Sequence, residues 1–267
     1  MNTKILLSLA IIGAVTISAI GGTMAYFSGT QISLGNTFTA GSLDLKVDSN
    51  CRYDGLVCGH TGSVWTPDES PNAYPLTRPD LVGKPCTCYW APTDLANQLF
   101  FDFTADPNEL RPADVGGDTV SFHVDGNPAW VCLKISGTAG HENDCKFAES
   151  LIDPDCHTDL TGEMISELKL SLFRDYNCNG VRDTGDGDIE LAGHTRNVPV
   201  ADGIYPVFDS TTGNGPLAPA SPACVSMNWN LIGAGNEIES DDVSANISLV
   251  GMQSKNNAGF KCSQLTP

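Results

Sequence analysis

The chain has 267 residues, with 27 Gly, 16 Pro, 10 Cys, 41% apolar residues and a formal charge of −18. Such a length fits one or two domains, and the apolar fraction supports a packed core and excludes wholesale disorder. The acidic balance argues against nucleic acid or anionic lipid as partners and favours solubility and affinity for cations.

The first residues read as an export leader. Lys4 supplies a short positive region, Ile5 to Ile20 an apolar stretch, and Thr23-Met24-Ala25 a small-residue exit, which predicts cleavage between Ala25 and Tyr26. Ile5 to Ala25 carries no charge and is long enough to span a bilayer, so an uncleaved anchor is the alternative. Contact with a membrane is expected only through that leader.

From Tyr26 onward the chain reads as one domain, 26–267, built from short alternating strands. Leu43, Leu45 and Val47 alternate with Asp44, Lys46 and Asp48. The same period of two recurs at Val120-Phe122-Val124, Leu168-Leu170-Leu172, Val225-Met227-Trp229-Leu231 and Val243-Ala245-Ile247-Leu249. Leu99 to Thr104 and Ala129 to Ser136 read as further strands, the latter pairing with 119–125 through a Gly126-Asn127-Pro128 turn. One helical turn is expected near Pro92 to Gln98. Short strands between Gly/Pro/Asp-rich loops indicate an all-β, two-sheet sandwich of jelly-roll type. Long loop insertions are expected at 49–90 and 137–166, with another long loop at 209–222.

An even number of cysteines behind an export signal predicts a disulfide framework. The candidates are Cys51, Cys58, Cys86, Cys88, Cys132, Cys145, Cys156, Cys178, Cys224 and Cys262. Ten cysteines allow about 945 complete pairings, so connectivity stays open. Cys86 and Cys88 are expected to take different partners, because neighbouring residues of an extended chain point apart and bridging geometry is narrow. Zinc binding by Cys51, Cys58, Cys86 and Cys88 fits their spacing poorly.

Residues 175–186 follow a calcium-loop spacing. Asp175, Asn177 and Asn179 provide oxygens at positions 1, 3 and 5, Gly180 the sharp turn, Val181 a carbonyl, and Asp183 and Asp186 positions 9 and 12. The expected ion is a structural calcium on a β scaffold. The plain alternative is an Asn/Asp/Gly turn that satisfies its own backbone.

Gly21-Gly22-Thr23-Met24-Ala25-Tyr26-Phe27-Ser28 and Gly35-Asn36-Thr37-Phe38-Thr39-Ala40-Gly41-Ser42-Leu43-Asp44-Leu45 resemble the leader and first strand of the TasA/camelysin family. Leu110-Arg111-Pro112-Ala113-Asp114 resembles that family's L-x-P-G-D loop, and Asn127 to Cys132 its following strand. Gly29 departs from the acidic residue the family commonly carries after Phe-Ser. The resemblance implies a jelly roll, processing by a signal peptidase of the SipW type, and assembly with copies of itself into extracellular fibres or a cell-surface matrix. In such fibres the N-terminal segment of one subunit completes a sheet of the next. Residues 26–41, with Phe27, Ile32, Leu34 and Phe38 as apolar anchors, are the candidate donor strand. They read equally as the first strand of their own domain.

Some camelysin relatives are described as metallopeptidases, so a secreted peptidase is one alternative and a monomeric, calcium-stabilised adhesin another. No H-E-x-x-H or G-x-S-x-G motif is present, and no catalytic residue is assigned.

Overall fold

A computed structural model describes residues 28–30, 43–59, 64–70, 73–94, 110–158, 160–183, 185–192 and 201–265. The protein is a β-sandwich of two antiparallel sheets. One sheet has four strands in the order β1 (Ser28–Thr30), β12 (Asp242–Gln253), β7 (Ala129–His141), β10 (Gly203–Phe208). The other runs β4 (Trp65–Pro67), β3 (Leu56–Cys58), β2 (Leu43–Tyr53), β6 (Val115–Gly126), β11 (Ala223–Asn230), β8 (Lys169–Asp175), β9 (Ile189–Ala192), with β5 (Trp90–Thr93) also pairing β2. A short helix, α1 (Met164–Glu167), precedes β8.

Without β2 to β5, the two sheets reduce to the orders 1-12-7-10 and 6-11-8-9. The chain passes repeatedly from one sheet to the other, which is the wiring of a jelly roll. β2 and the short strands attached to it widen one sheet by adding to the free side of β6.

The alternation read from the sequence is the alternation of burial. In β2 the buried residues are Leu45, Val47, Ser49, Cys51 and Tyr53, two apart throughout. The main core lies between the sheets, where Val47, Val120, Phe122 and Val225 of one face meet Val131, Leu133, Ile135 and Leu249 of the other. Each such side chain contributes roughly 1.5–3 kcal/mol of burial. A second core forms beside it from Tyr53, Leu56, Trp65, Leu81 and Trp229.

Several expectations are corrected. β6 and β7 do not form a hairpin: β6 pairs with β2 and β11, whereas β7 pairs with β12 and β10. Gly126, at φ +89, and Pro128 turn the chain across the sandwich instead, and Ala129 exchanges both backbone hydrogen bonds with Leu217, at 3.0 and 2.8 Å. Both strands carry buried inner faces, so they stack across the core rather than share an edge. The 49–90 segment is not a plain loop, since β2 continues to Tyr53 and β3 and β4 follow. Likewise β7 runs on to His141. Pro92 and Thr93 belong to β5 rather than to a helical turn; residues 95–98 of that turn and the strand expected at 99–104 lie outside the described residues.

β12 departs from its simple period at Ala245. The register slips between Ser244 and Asn246, and Gly137, opposite the slip, has φ +66. Asp202 caps this bulge, accepting the Thr138 and Gly137 amides at 2.9 and 3.0 Å. Those donors, Thr138 first, hold its carboxyl below the usual range.

Candidate functional site

The edge of the four-stranded sheet is the first candidate. β1 lies antiparallel on β12, with Ser28 opposite Met252 and Thr30 opposite Val250. This pairing is within one chain. Among the described residues it covers three residues of a twelve-residue strand. Among the described residues no other strand lies on that side of β12, and Ser244 to Asn246 are exposed there. Phe27, Ile32, Leu34 and Phe38 lie outside the described residues, as do Ala25 and Tyr26 at the expected cleavage point.

The 175–186 loop leaves the end of β8 and folds against β2 and β11. Buried Asp175 accepts the Gly180 amide at 2.7 Å, the Asn179 amide at 3.2 Å and the Ser226 hydroxyl at 2.8 Å. Asn177 accepts the Asn179 amide at 3.1 Å, and its own amide donates to Asp186. Asn179 accepts the Val181 amide at 2.7 Å. Thus Asp175, Asn177, Asn179 and Asp186 join one linked turn. Asp183 instead accepts the Gly185 amide at 2.7 Å. Asp188, absent from the sequence pattern, accepts the amides of Tyr176 and Asp183 at 2.8 and 2.7 Å and closes the loop's base.

A cationic side chain packs against this loop: Arg52 donates to the Asn179 carbonyl and pairs with Asp68 at 3.2 Å. Gly180 has φ +73, a left-handed conformation that favours glycine, and a Cβ there, 2.6 Å from the Arg52 guanidinium, would also push that group aside. Cys178, at φ +58, pins the loop tip to β11 through Cys224.

All ten cysteines are paired: 51–88, 58–86, 132–262, 145–156 and 178–224. Cys86 and Cys88 do take different partners. These two bridges lie in the second core, and a buried polar network lies beside it. Arg78, only 2% exposed, donates to the Tyr53 hydroxyl at 2.8 Å and pairs with Asp80 at 3.1 Å. Tyr53 donates to Asp114, which also accepts the Arg111 amide at 2.7 Å. Burial, with Asp54 nearby, pushes the Asp114 carboxyl up to about 6. The Leu110 to Asp114 motif is therefore a tight turn whose aspartate anchors Tyr53. Ala113 has φ +72, the position at which the resembling family has glycine.

Another set of carboxylates comes together with no signal in the linear sequence. Glu142, Glu149, Glu163 and Asp241 each place one oxygen within 4.8 Å of the others. Burial raises Glu149, and burial together with the Glu142 and Glu163 carboxylates pushes Asp241 up to about 7.

His123 and His141 each face an aspartate, Asp48 at 2.8 Å and Asp242 at 2.9 Å. The chain matches no protein-family model and no curated protein.

Proposed function

We propose that this protein is an exported structural subunit of TasA/camelysin type, assembling with copies of itself into extracellular fibres or a cell-surface matrix. Assembly, not turnover, is its proposed activity. A signal peptidase of the SipW type would free Tyr26, and a structural calcium in the 175–186 loop belongs to the same reading. Five disulfides are compatible with an oxidising, extracellular setting. Among the described residues no helix is long and apolar enough to cross a membrane.

The observation that carries the reading is the outer edge of β12. Among the described residues, a strand of twelve residues is capped there by three, and the cap comes from the segment that directly follows the predicted cleavage point. A long, uncovered edge is a template for another strand. The same segment lent by a neighbouring copy would make the same main-chain bonds, with its apolar side chains choosing the register.

The test uses the oxidised 26–267 chain, followed by size-exclusion chromatography and electron microscopy with added calcium. Fibres are expected, and deletion of 26–38 should abolish them while leaving the far-ultraviolet circular dichroism unchanged. A mature chain that stays a monodisperse monomer refutes the assembly reading and favours the monomeric adhesin.

A further inference from the structure

Glu142, Glu149, Glu163 and Asp241 come from four separate segments. Glu142 directly follows β7, Glu149 opens the 3-10 turn Glu149–Leu151, Glu163 caps α1, and Asp241 directly precedes β12. Three of them are fixed by backbone amides. Glu142 accepts Asp144 N–H at 3.1 Å, Glu149 accepts Lys146 N–H at 3.0 Å, and Asp241 accepts Met164 N–H at 2.8 Å. In each, the second oxygen is buried with no hydrogen-bond donor among the described residues. Glu149 is the decisive member: its side chain is 0% exposed, yet Oε1 has no donor. A buried carboxylate oxygen facing other carboxylates is strongly unfavourable unless it is protonated or a cation joins the set. Nearby, Lys146 pairs with Asp144 and His141 faces Asp242.

We propose that these four carboxylates form a site for one divalent cation, with calcium as the fitting ion. The donors are all hard oxygens, and the nearby Cys145 and Cys156 are bonded to each other, which removes soft ligands. Oxygens on opposite sides of a calcium ion at ~2.3–2.6 Å stand about 5 Å apart, so four oxygens within 4.8 Å of one another fit a single shell. Magnesium, at ~2.0–2.1 Å, demands near-ideal octahedral geometry and gives up its water reluctantly, so a cage of four carboxylates suits it less well.

The site has a mechanical role. Cys145–Cys156 spans only 11 positions and closes the 142–163 excursion on itself without bonding it to either sheet. The cation would tie Glu149, inside that excursion, to Asp241 at the root of β12. It shares no residue with the 175–186 loop.

The test begins with a D183N/D186N chain, which silences the 175–186 loop, stripped with chelator and titrated with CaCl₂ by calorimetry. One calcium per chain is expected, with a rise in melting temperature. Adding E163Q or E142Q, both only half-buried and so tolerant of change, should weaken binding about tenfold or more. Circular dichroism checks that each variant is folded. Absence of binding up to ~10 mM calcium, beyond the weakest extracellular modules, overturns the proposal. Binding that survives both E163Q and E142Q overturns it as well.

Discussion

The segment from Cys51 to Thr93 and the segment from Glu142 to Glu163 both leave the sandwich, return to it and contain disulfides, yet they are held differently. The first has its own core: Tyr53 stacks on Trp229 with ring centres 5.9 Å apart and tilts against Trp65 at 6.1 Å, with two bridges buried around them. Its buried cation is matched, Arg78 to Tyr53 and Asp80, and Tyr53 in turn donates to Asp114. The second leaves Phe147 and Leu160 80% exposed and Leu151 68% exposed, has one self-closing bridge, and meets the root of β12 through the four carboxylates and hydrogen bonds of Asn143 and Asp144 with Ser240 and Asp242. Disulfides alone therefore do not make an insertion part of a fold. What makes the difference is whether apolar area is buried under them.

The largest expected effect tests the matched network. Arg78→Ala removes a buried cation and leaves Tyr53 and Asp114 without it, which should cost about 3–5 kcal/mol in urea unfolding. A loss below ~1 kcal/mol would mean that the aromatic core and bridges suffice to hold the first segment.

The next effect separates the two kinds of bridge. Cys58→Ser with Cys86→Ser should lower global stability by about 2–4 kcal/mol, because that bridge lies inside a core that unfolds with the sheet. Cys145→Ser with Cys156→Ser should cost under ~1 kcal/mol globally, because its segment can open while the sandwich stays folded, and should show instead as faster proteolysis between 145 and 156. Equal shifts in the two unfolding curves would end the distinction.

The smallest effect is a gain. Ala113→Gly relieves a left-handed residue in the turn that positions Asp114 and should stabilise the protein by roughly 0.5–1 kcal/mol in the same unfolding assay. No gain would show that the turn bears φ +72 without strain.

The strands were legible because one wet face and one buried face write a period of two, which β2 follows throughout and β6 along its second half, whereas β11 buries Cys224 to Met227 in succession. The Gly126-Asn127-Pro128 turn was legible as a reversal but not as a change of sheet. Turn chemistry fixes the bend, whereas the partner of β7 is fixed by β12 and β10, more than 60 residues downstream. The Asp/Asn pattern at 175–186 correctly marked a tight loop, yet Arg52 and Asp188, which complete its contacts, stand outside any motif. The carboxylates at 142, 149, 163 and 241 follow no local spacing; only the approach of β12 to the end of β7 gathers them.

Cys132 and Cys262 are 130 positions apart and bonded. If the protein is stretched between its first strand and Cys262, the load leaves the backbone at Cys132 and crosses through sulfur. Everything between those cysteines, roughly 450 Å of extended chain, then cannot pay out. The enclosed part includes β8 to β12, so the bridge would act as a built-in stop, limiting how far the molecule can lengthen under load before a covalent bond must break.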